Sequence, residues 1–367
     1  MHSLIKKFMK PHLFCFLLFI GISTEVFSQF DNGKADSIFK HYFNDGVFMG
    51  NVLLAKEGKI VYNNSFGYSD TEKKTPHTKN SIFYLASLAK PITASAIFML
   101  EKHAKLNTNE DVQKYIPTFP TYGITIKQLL AHTSGFGDVV KLIKEYGDST
   151  KSNTNSDILS IVINKKPKLN NMPGTVWEYS DINYILLACL IEKISGEKYE
   201  SYIQHNFLNK VHSKLKIHSI DPEYSQTISC VGRYTLIDST LQKSNEIASN
   251  QYVKLISGCY GDGGYYGTIM DLYKWSESIN ELTTQFNPAT FNDSSYVKTS
   301  WGSNVAYGWD TDINSTLGMN GNKGGQFQGN MGVIFKFPES GITMIVLSNI
   351  ETDEFWTIGS KVFECLK

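Results

Sequence analysis

Three short pieces of this chain carry the side chains that could do chemistry: Ser87-Leu88-Ala89-Lys90, Tyr179-Ser180-Asp181 and Lys323-Gly324-Gly325. In that order they supply a hydroxyl nucleophile, two candidate proton carriers and a cation beside a glycine-rich strand. A serine hydroxyl is a weak nucleophile until a neighbouring group takes its proton. The oxyanion formed when it attacks a carbonyl needs donors aimed at it. Acyl transfer through a serine ester requires these parts, so serine hydrolase is the leading reading.

Ser-x-x-Lys spacing alone singles out nothing, because the chain has six, at Ser3, Ser37, Ser87, Ser195, Ser213 and Ser295. Context selects Ser87. It follows the apolar run Ile82-Phe-Tyr-Leu-Ala and precedes an apolar stretch from Pro91 to about Lys105 that reads as a buried helix. Positions i and i+3 share a helix face, so Lys90 reaches the Ser87 hydroxyl. The helix N-terminus favours negative charge developing there. Burial is expected to lower the Lys90 pKa and offer a neutral amine as base. Tyr179 stands at a loop-to-helix junction, where its phenol can point into a cleft. In the third piece, strand glycines let a ligand approach the backbone closely. Gly325 thus leads to the Gln326 N–H, a donor for an oxyanion, and Lys323 could attract a substrate carboxylate or polarise a tyrosine. Taken singly, each piece also reads as ordinary structure: a surface Ser and Lys, a packing aromatic, a glycine-rich turn.

The elements that must position these residues follow from pattern. Residues 32–44 read as an amphipathic helix. Two hairpins are signalled, one turning at Glu57-Gly58 and one at Pro338-Glu-Ser-Gly341, each between apolar strands. A closing helix is expected at about 353–366. Between the ends the chain is mostly helical, with a capping box at Thr125-Ile-Lys-Gln128 opening a helix that runs to His132. Ile182 to Ile194 forms another buried helix, stopped by Gly196. The expected fold is therefore α+β, an α/β sandwich: an antiparallel sheet made from both chain termini, flanked by helices, with a mainly helical region inserted. The sheet part is expected at about 29–86 plus 255–367 and the helical part at about 87–254, in one catalytic unit.

The 367 residues are 41% hydrophobic with zero formal net charge. No basic stripe or zinc-finger spacing occurs, so no nucleic-acid partner is expected. Residues 1–28 read as a signal peptide: Lys6, Lys7 and Lys10 precede an apolar run from Leu13 to Ile22 that is short for a bilayer span, and Ser28 suits cleavage. Cys15 lies inside that run rather than after it, which argues against a lipoprotein site. An exported, periplasmic or extracellular protein with no stable membrane span is expected. The other cysteines, Cys189, Cys230, Cys259 and Cys365, fit no metal motif and read as isolated buried thiols. Neither a metal nor a cofactor is expected. The partner is a small-molecule or peptide substrate.

With these pieces in order, residues 35 to about 365 resemble the serine β-lactamase and penicillin-binding-protein-like hydrolases, in the branch of class C β-lactamases, D-Ala-D-Ala carboxypeptidases, D-aminopeptidases and related esterases. Ile124-Thr-Ile-Lys-Gln-Leu-Leu-Ala-His-Thr-Ser-Gly135 is the most specific match. Met172-Pro-Gly174, Gly263-Gly264 with Asp271-Leu272, Tyr307-Gly-Trp309 and Leu347-Ser-Asn349 also fit. The resemblance implies Ser87 as nucleophile, Lys90 as its partner, Tyr179 as second proton carrier and Lys323 as third-motif cation. It places the oxyanion between the Ser87 and Gln326 N–H groups. It implies a small peptide or peptidoglycan-like amide with a D-residue as substrate. One departure matters: the second motif usually ends in Asn, here in Asp181. An ionised Asp only accepts hydrogen bonds, and it favours a nearby Lys90 as ammonium. Proton abstraction is then expected to rest on a Tyr179 phenolate favoured by Lys90 and Lys323. His132 belongs to the helix-to-loop signature and reads as structural, as does Arg233.

Overall fold

The computed structural model describes residues 30–365 except 219–221, 229, 245–249, 283–297, 300–302 and 313–319. The signal-peptide segment and the Ser3 and Ser295 spacings fall outside the described residues. Strand β1 (Gly50–Lys56) turns into β2 (Lys59–Phe66) at Glu57 and Gly58, whose φ values of 51° and 72° give the left-handed turn that suits strand twist. Near the other terminus run β3 (Asn304–Ala306), β4 (Trp309–Asp312), β5 (Asn320–Phe327), β6 (Asn330–Phe337) and β7 (Ile342–Ser348). All seven form one antiparallel sheet in the order β3-β4-β5-β6-β7-β1-β2, so β7 joins the two ends of the chain.

Period-2 alternation explains how both faces are covered. On β1, Val52 and Leu54 point to one face, where Val333, Met344 and Val346 meet Phe39 and Phe355. Those two rings come from α1 (Asn32–Asn44) and the helix Glu354–Lys361. Leu53 and Ala55 point to the opposite face with Ile334, Ile345 and Leu347, and join the larger core under the inserted helices. At its centre is α2 (Ala89–Lys102), buried from Ala89 to Leu100. A helix apolar on all sides belongs inside a domain. Around it lie α3 (Ile126–Leu130), α4 (Val139–Tyr146), α5 (Asn155–Lys165) and α6 (Asp181–Ser195).

The boundaries differ from expectation where the backbone turns left-handed. The α2 helix stops at Lys102, short of Lys105, because Ala104 adopts a φ of 53°. The Thr125–Gln128 capping box forms in both directions, but the helix ends at Leu130 and His132 takes a φ of 56°. The last helix gives way to a 3-10 turn at Val362–Cys365. Strands β3 and β4 are joined through Tyr307-Gly308, part of the Tyr307-Gly-Trp309 match. Cys189, Cys259 and Cys365 are buried, Cys230 is half-buried, and all four are free thiols. Among the described residues no helix is long and apolar enough to cross a membrane.

Candidate active site

Ser87 lies in a 3-10 turn, Ala86–Leu88, that runs directly into α2. Ala86 has a φ of 48°, a conformation disfavoured by about 1–2 kcal/mol for a residue with a Cβ. Such strain persists only where packing enforces it, and here β5 presses on the turn. A Cβ at Gly325 would stand 2.7 Å from Leu85 O, 3.0 Å from Leu88 N and 3.1 Å from Ser87 N. Only glycine fits, so the third sequence piece sets the position of the first. Gly325→Ala is expected to push the turn aside, to destabilise the protein by about 1–3 kcal/mol, and to slow fluorophosphonate labelling at least ~10-fold. The labelling rate and the melting temperature check this; wild-type values of both would contradict the contact.

Tyr179 is set by the loop that the helix-to-loop signature holds. Gly174 N donates to Thr133 O at 2.7 Å and Glu178 N to His132 O at 2.9 Å. Ser180 N donates to His132 Nδ1 at 3.2 Å, and the imidazole stacks on the Tyr179 ring with centroids 4.5 Å apart. Burial first, then Lys323 and Lys90, hold His132 well below its ordinary pKa, so it is neutral and acts as a wall for the tyrosine. Arg233 donates to Gln328 Oε1 at 3.2 Å and is not among the pocket-lining residues.

The structure brings the predicted residues together. Ser87 Oγ lies 2.6 Å from Tyr179 OH. Lys90 Nζ donates to Ser87 Oγ at 3.1 Å, to Asp181 Oδ1 at 2.8 Å and to the backbone O of Asp262 at 2.9 Å. Those bonds occupy the three protons of an ammonium. Lys90 and Lys323 also approach the Tyr179 ring, with Nζ 4.9 and 5.4 Å from its centroid. All this opens on a pocket of about 930 Å³ whose wall includes Ser87, Tyr179, Asp181, Lys323 and Gln326. The Gln326 side chain is tied off on Glu351 Oε1 at 2.8 Å.

Two electrostatic expectations need correction. Lys90 is fully buried, and burial does pull its pKa down, as expected. The charges of Asp181, Tyr179 and Asp262 and the Asp181 hydrogen bond outweigh it, so the amine is held well above its ordinary value and is an ammonium. Nor is Tyr179 a phenolate. A third of the residue is exposed at the pocket mouth, but its hydroxyl end is enclosed, and burial pushes it up to about 12. Lys90 lowers it and Asp181 raises it, and the two charges oppose each other. Lys323 is pulled down by burial, with Asp310 countering.

The pocket wall also includes Asp262, Asp310 and Trp356, none of which was marked as a site residue by the sequence. Asp262 immediately precedes the Gly263-Gly264 pair that was noted, and that adjacency was the signal available. Trp356 comes from the C-terminal helix and packs over Gly324, where an added Cβ would stand 2.7 Å from its ring. Nothing in the local pattern around Trp356 points to a pocket.

The Beta-lactamase family model matches residues 35–357. Penicillin-binding protein 4* of Bacillus subtilis (strain 168) is 31% identical over 325 residues, covering 86% of this chain and 70% of that protein. D-amino acid amidase of Ochrobactrum anthropi SV3, solved with D-phenylalanine, superposes with a TM-score of 0.74 at 18% identity, over 91% of this chain and 98% of that one. The octameric penicillin-binding protein homologue of Pyrococcus abyssi gives 0.70 at 23% identity, over 87% and 73%. The two solved structures share the fold, and the sequence match spans nearly the whole described chain. This chain belongs to the Beta-lactamase family of serine hydrolases.

Proposed function

We propose that the protein is an exported serine hydrolase that works through an acyl-enzyme on Ser87, with a small amide bearing a D-residue as substrate. The observation that carries this reading is the pair of short contacts to Ser87 Oγ, 2.6 Å from the Tyr179 hydroxyl and 3.1 Å from Lys90 Nζ. Ser87 Oγ bonds to the carbonyl carbon while its proton passes to the Tyr179–Lys90 pair. The carbonyl electrons move to oxygen, beside the Ser87 and Gln326 N–H groups. Losing one such donor typically costs ~10²–10³ in rate. Collapse of the intermediate breaks the bond to the leaving group, which takes the proton back. Water then repeats the sequence on the ester and frees Ser87. The relatives named as penicillin-binding proteins and a D-amino acid amidase support the amide class. The basic, apolar N-terminal segment supports export.

The test of substrate class is a panel of D-Ala-D-Ala peptides, D-amino acid amides, p-nitrophenyl esters and cephalosporins. Turnover confined to esters or cephalosporins would move the reading to an esterase or β-lactamase. Turnover of none, with no covalent adduct, would leave a ligand-binding protein.

The resting pair carries a proton on both Lys90 and Tyr179, so the reactive form is the one with a proton removed. Asp181 raises the pKa of both groups. Asp181→Asn removes that charge, so both groups release a proton at lower pH. The rising limb of kcat/KM against pH is expected to move down by about one unit or more, the scale of a nearby charge. The cephalosporin value should also rise relative to a D-amino acid amide, because Asp181 repels a substrate carboxylate and favours an ammonium. An unmoved limb and an unchanged ratio would reduce Asp181 to the first residue of α6.

A further inference from the structure

Lys90 spends its third proton on a backbone oxygen, that of Asp262, at 2.9 Å. The other two go to Ser87 and Asp181. An ammonium with three fixed acceptors is locked in rotation, so the Asp262 carbonyl helps set the direction of the Lys90–Ser87 bond. The loop that carries this carbonyl is held on both sides. Gly261 has a φ of 97°, and a Cβ there would stand 2.6 Å from Tyr184 O and 2.9 Å from Ala188 Cβ. The loop is thus pressed on α6, and only glycine passes. Beyond Asp262, Gly264 N donates to Tyr84 OH at 3.0 Å.

Behind Gly261 stands a chain of three hydroxyls. Thr93 is one turn beyond Lys90 on α2 and shares its face. Its Oγ1 lies 2.7 Å from Gly261 O and 2.6 Å from Tyr199 OH, and Tyr199 OH lies 2.7 Å from Tyr265 OH. Proton counting gives each bond its direction. A carbonyl only accepts, so the single Thr93 proton goes to Gly261 O. The Ala89 carbonyl, 3.4 Å from the same oxygen, is the weaker acceptor. Tyr199 must then donate to Thr93, and Tyr265 to Tyr199. Burial holds both phenols above their ordinary pKa, so each keeps the proton that the chain needs. All three side chains are buried in the main core. The core does not need them, because apolar groups of the same shape in place of bonded hydroxyls are nearly neutral for stability. What the chain provides is a fixed Gly261 carbonyl, one residue before the oxygen that Lys90 uses.

We propose that Thr93, Tyr199 and Tyr265 are positioning residues for the reaction: their directed hydrogen-bond chain holds the Gly261–Asp262 segment so that the Asp262 carbonyl aims Lys90 Nζ at Ser87 Oγ. This rests on the acyl-enzyme reading. The charged and titratable groups around Lys90 are Asp181 and Tyr184 on α6, Tyr179 and His132 at the pocket wall, Lys323 on β5, and Tyr84 and Asp262. All of them remain in a Thr93 variant, so a moved pH profile there reports the Asp262 carbonyl.

The test is saturable fluorophosphonate labelling of Ser87 across pH in wild type, Thr93→Val, Thr93→Ser and Tyr199→Phe, with thermal melting of each. Thr93→Val should lower the maximal labelling rate at least ~10-fold, the effect of a small misplacement, and leave the half-saturating concentration within about 3-fold of wild type. The rising limb should move to lower pH by about half a unit or more, because an ammonium that loses an acceptor gives up its proton more easily. Thr93→Ser keeps the hydroxyl and should recover most of the rate. Tyr199→Phe keeps the bond to Gly261 but removes its support, and should slow labelling by a smaller factor, about 3-fold. A lower melting temperature with wild-type rate and limb in Thr93→Val would overturn the proposal and leave the chain a core contact. So would a Thr93→Ser as slow as Thr93→Val. If Thr93→Val does not fold, Tyr199→Phe decides, and a wild-type rate there overturns the proposal. Failure of wild type to label at all would instead sink the acyl-enzyme reading, and the proposal with it.

Discussion

Ser87→Ala is expected to remove turnover of every substrate the wild-type protein accepts, by at least ~10⁴-fold, the scale on which loss of a nucleophile is felt. The size follows from the covalent step: among the described residues, Ser87 carries the hydroxyl on which Lys90 and Tyr179 both converge. The fold should survive. Ser87 is half-buried, and its hydroxyl bonds only Tyr179 and Lys90 among the described residues. Losing those contacts is worth about 1 kcal/mol, a melting shift of a few degrees. Kinetics and thermal melting on the same preparation separate the two effects. A variant with a tenth of wild-type turnover and an unchanged melting curve would remove Ser87 from the mechanism.

The second large effect concerns the proton relay. Lys90→Ala and Tyr179→Phe should each lower turnover at least ~10²-fold. Both serve the same proton on Ser87 Oγ, so the double variant should fall little below the worse single one. Tyr179→Phe keeps the ring that stacks on His132 and loses only the hydroxyl. Lys90→Ala has a further cost, because it removes a fully buried ammonium from an ion pair with the half-buried Asp181, and about 1–3 kcal/mol of stability goes with it. The kinetic cycle must therefore be measured well below the melting point of that variant. Losses that multiply in the double variant would contradict a shared relay.

Much of this site was legible because its parts sit on regular elements. Lys90 is one helical turn beyond Ser87, and the α2 pattern made that plain. The terminal hairpins were legible from turn residues set between apolar runs, Glu57-Gly58 and Pro338–Gly341, and with them the sheet that carries Lys323 and Gly325. The protonation states were not legible. Burial alone predicts a neutral Lys90, and only the three-dimensional count of neighbours shows that Asp181, Tyr179 and Asp262 reverse that outcome. Asp262 and Trp356 were not legible as site residues for a related reason. Asp262 comes from the loop after Tyr260 and Trp356 from the C-terminal helix, and each reaches the pocket through tertiary packing rather than any local period. The tightness around Gly325 was visible only as a glycine pair, whereas its cause is the Leu85 carbonyl 2.7 Å from the missing Cβ.

The covalent bond between Ser87 and the acyl group can be trapped with a fluorophosphonate or penicillin probe, and the added mass located by digestion and tandem mass spectrometry. A single adduct is expected on the peptide containing Ser87, absent from Ser87→Ala. An adduct on another residue, or one of equal yield in Ser87→Ala, would contradict it.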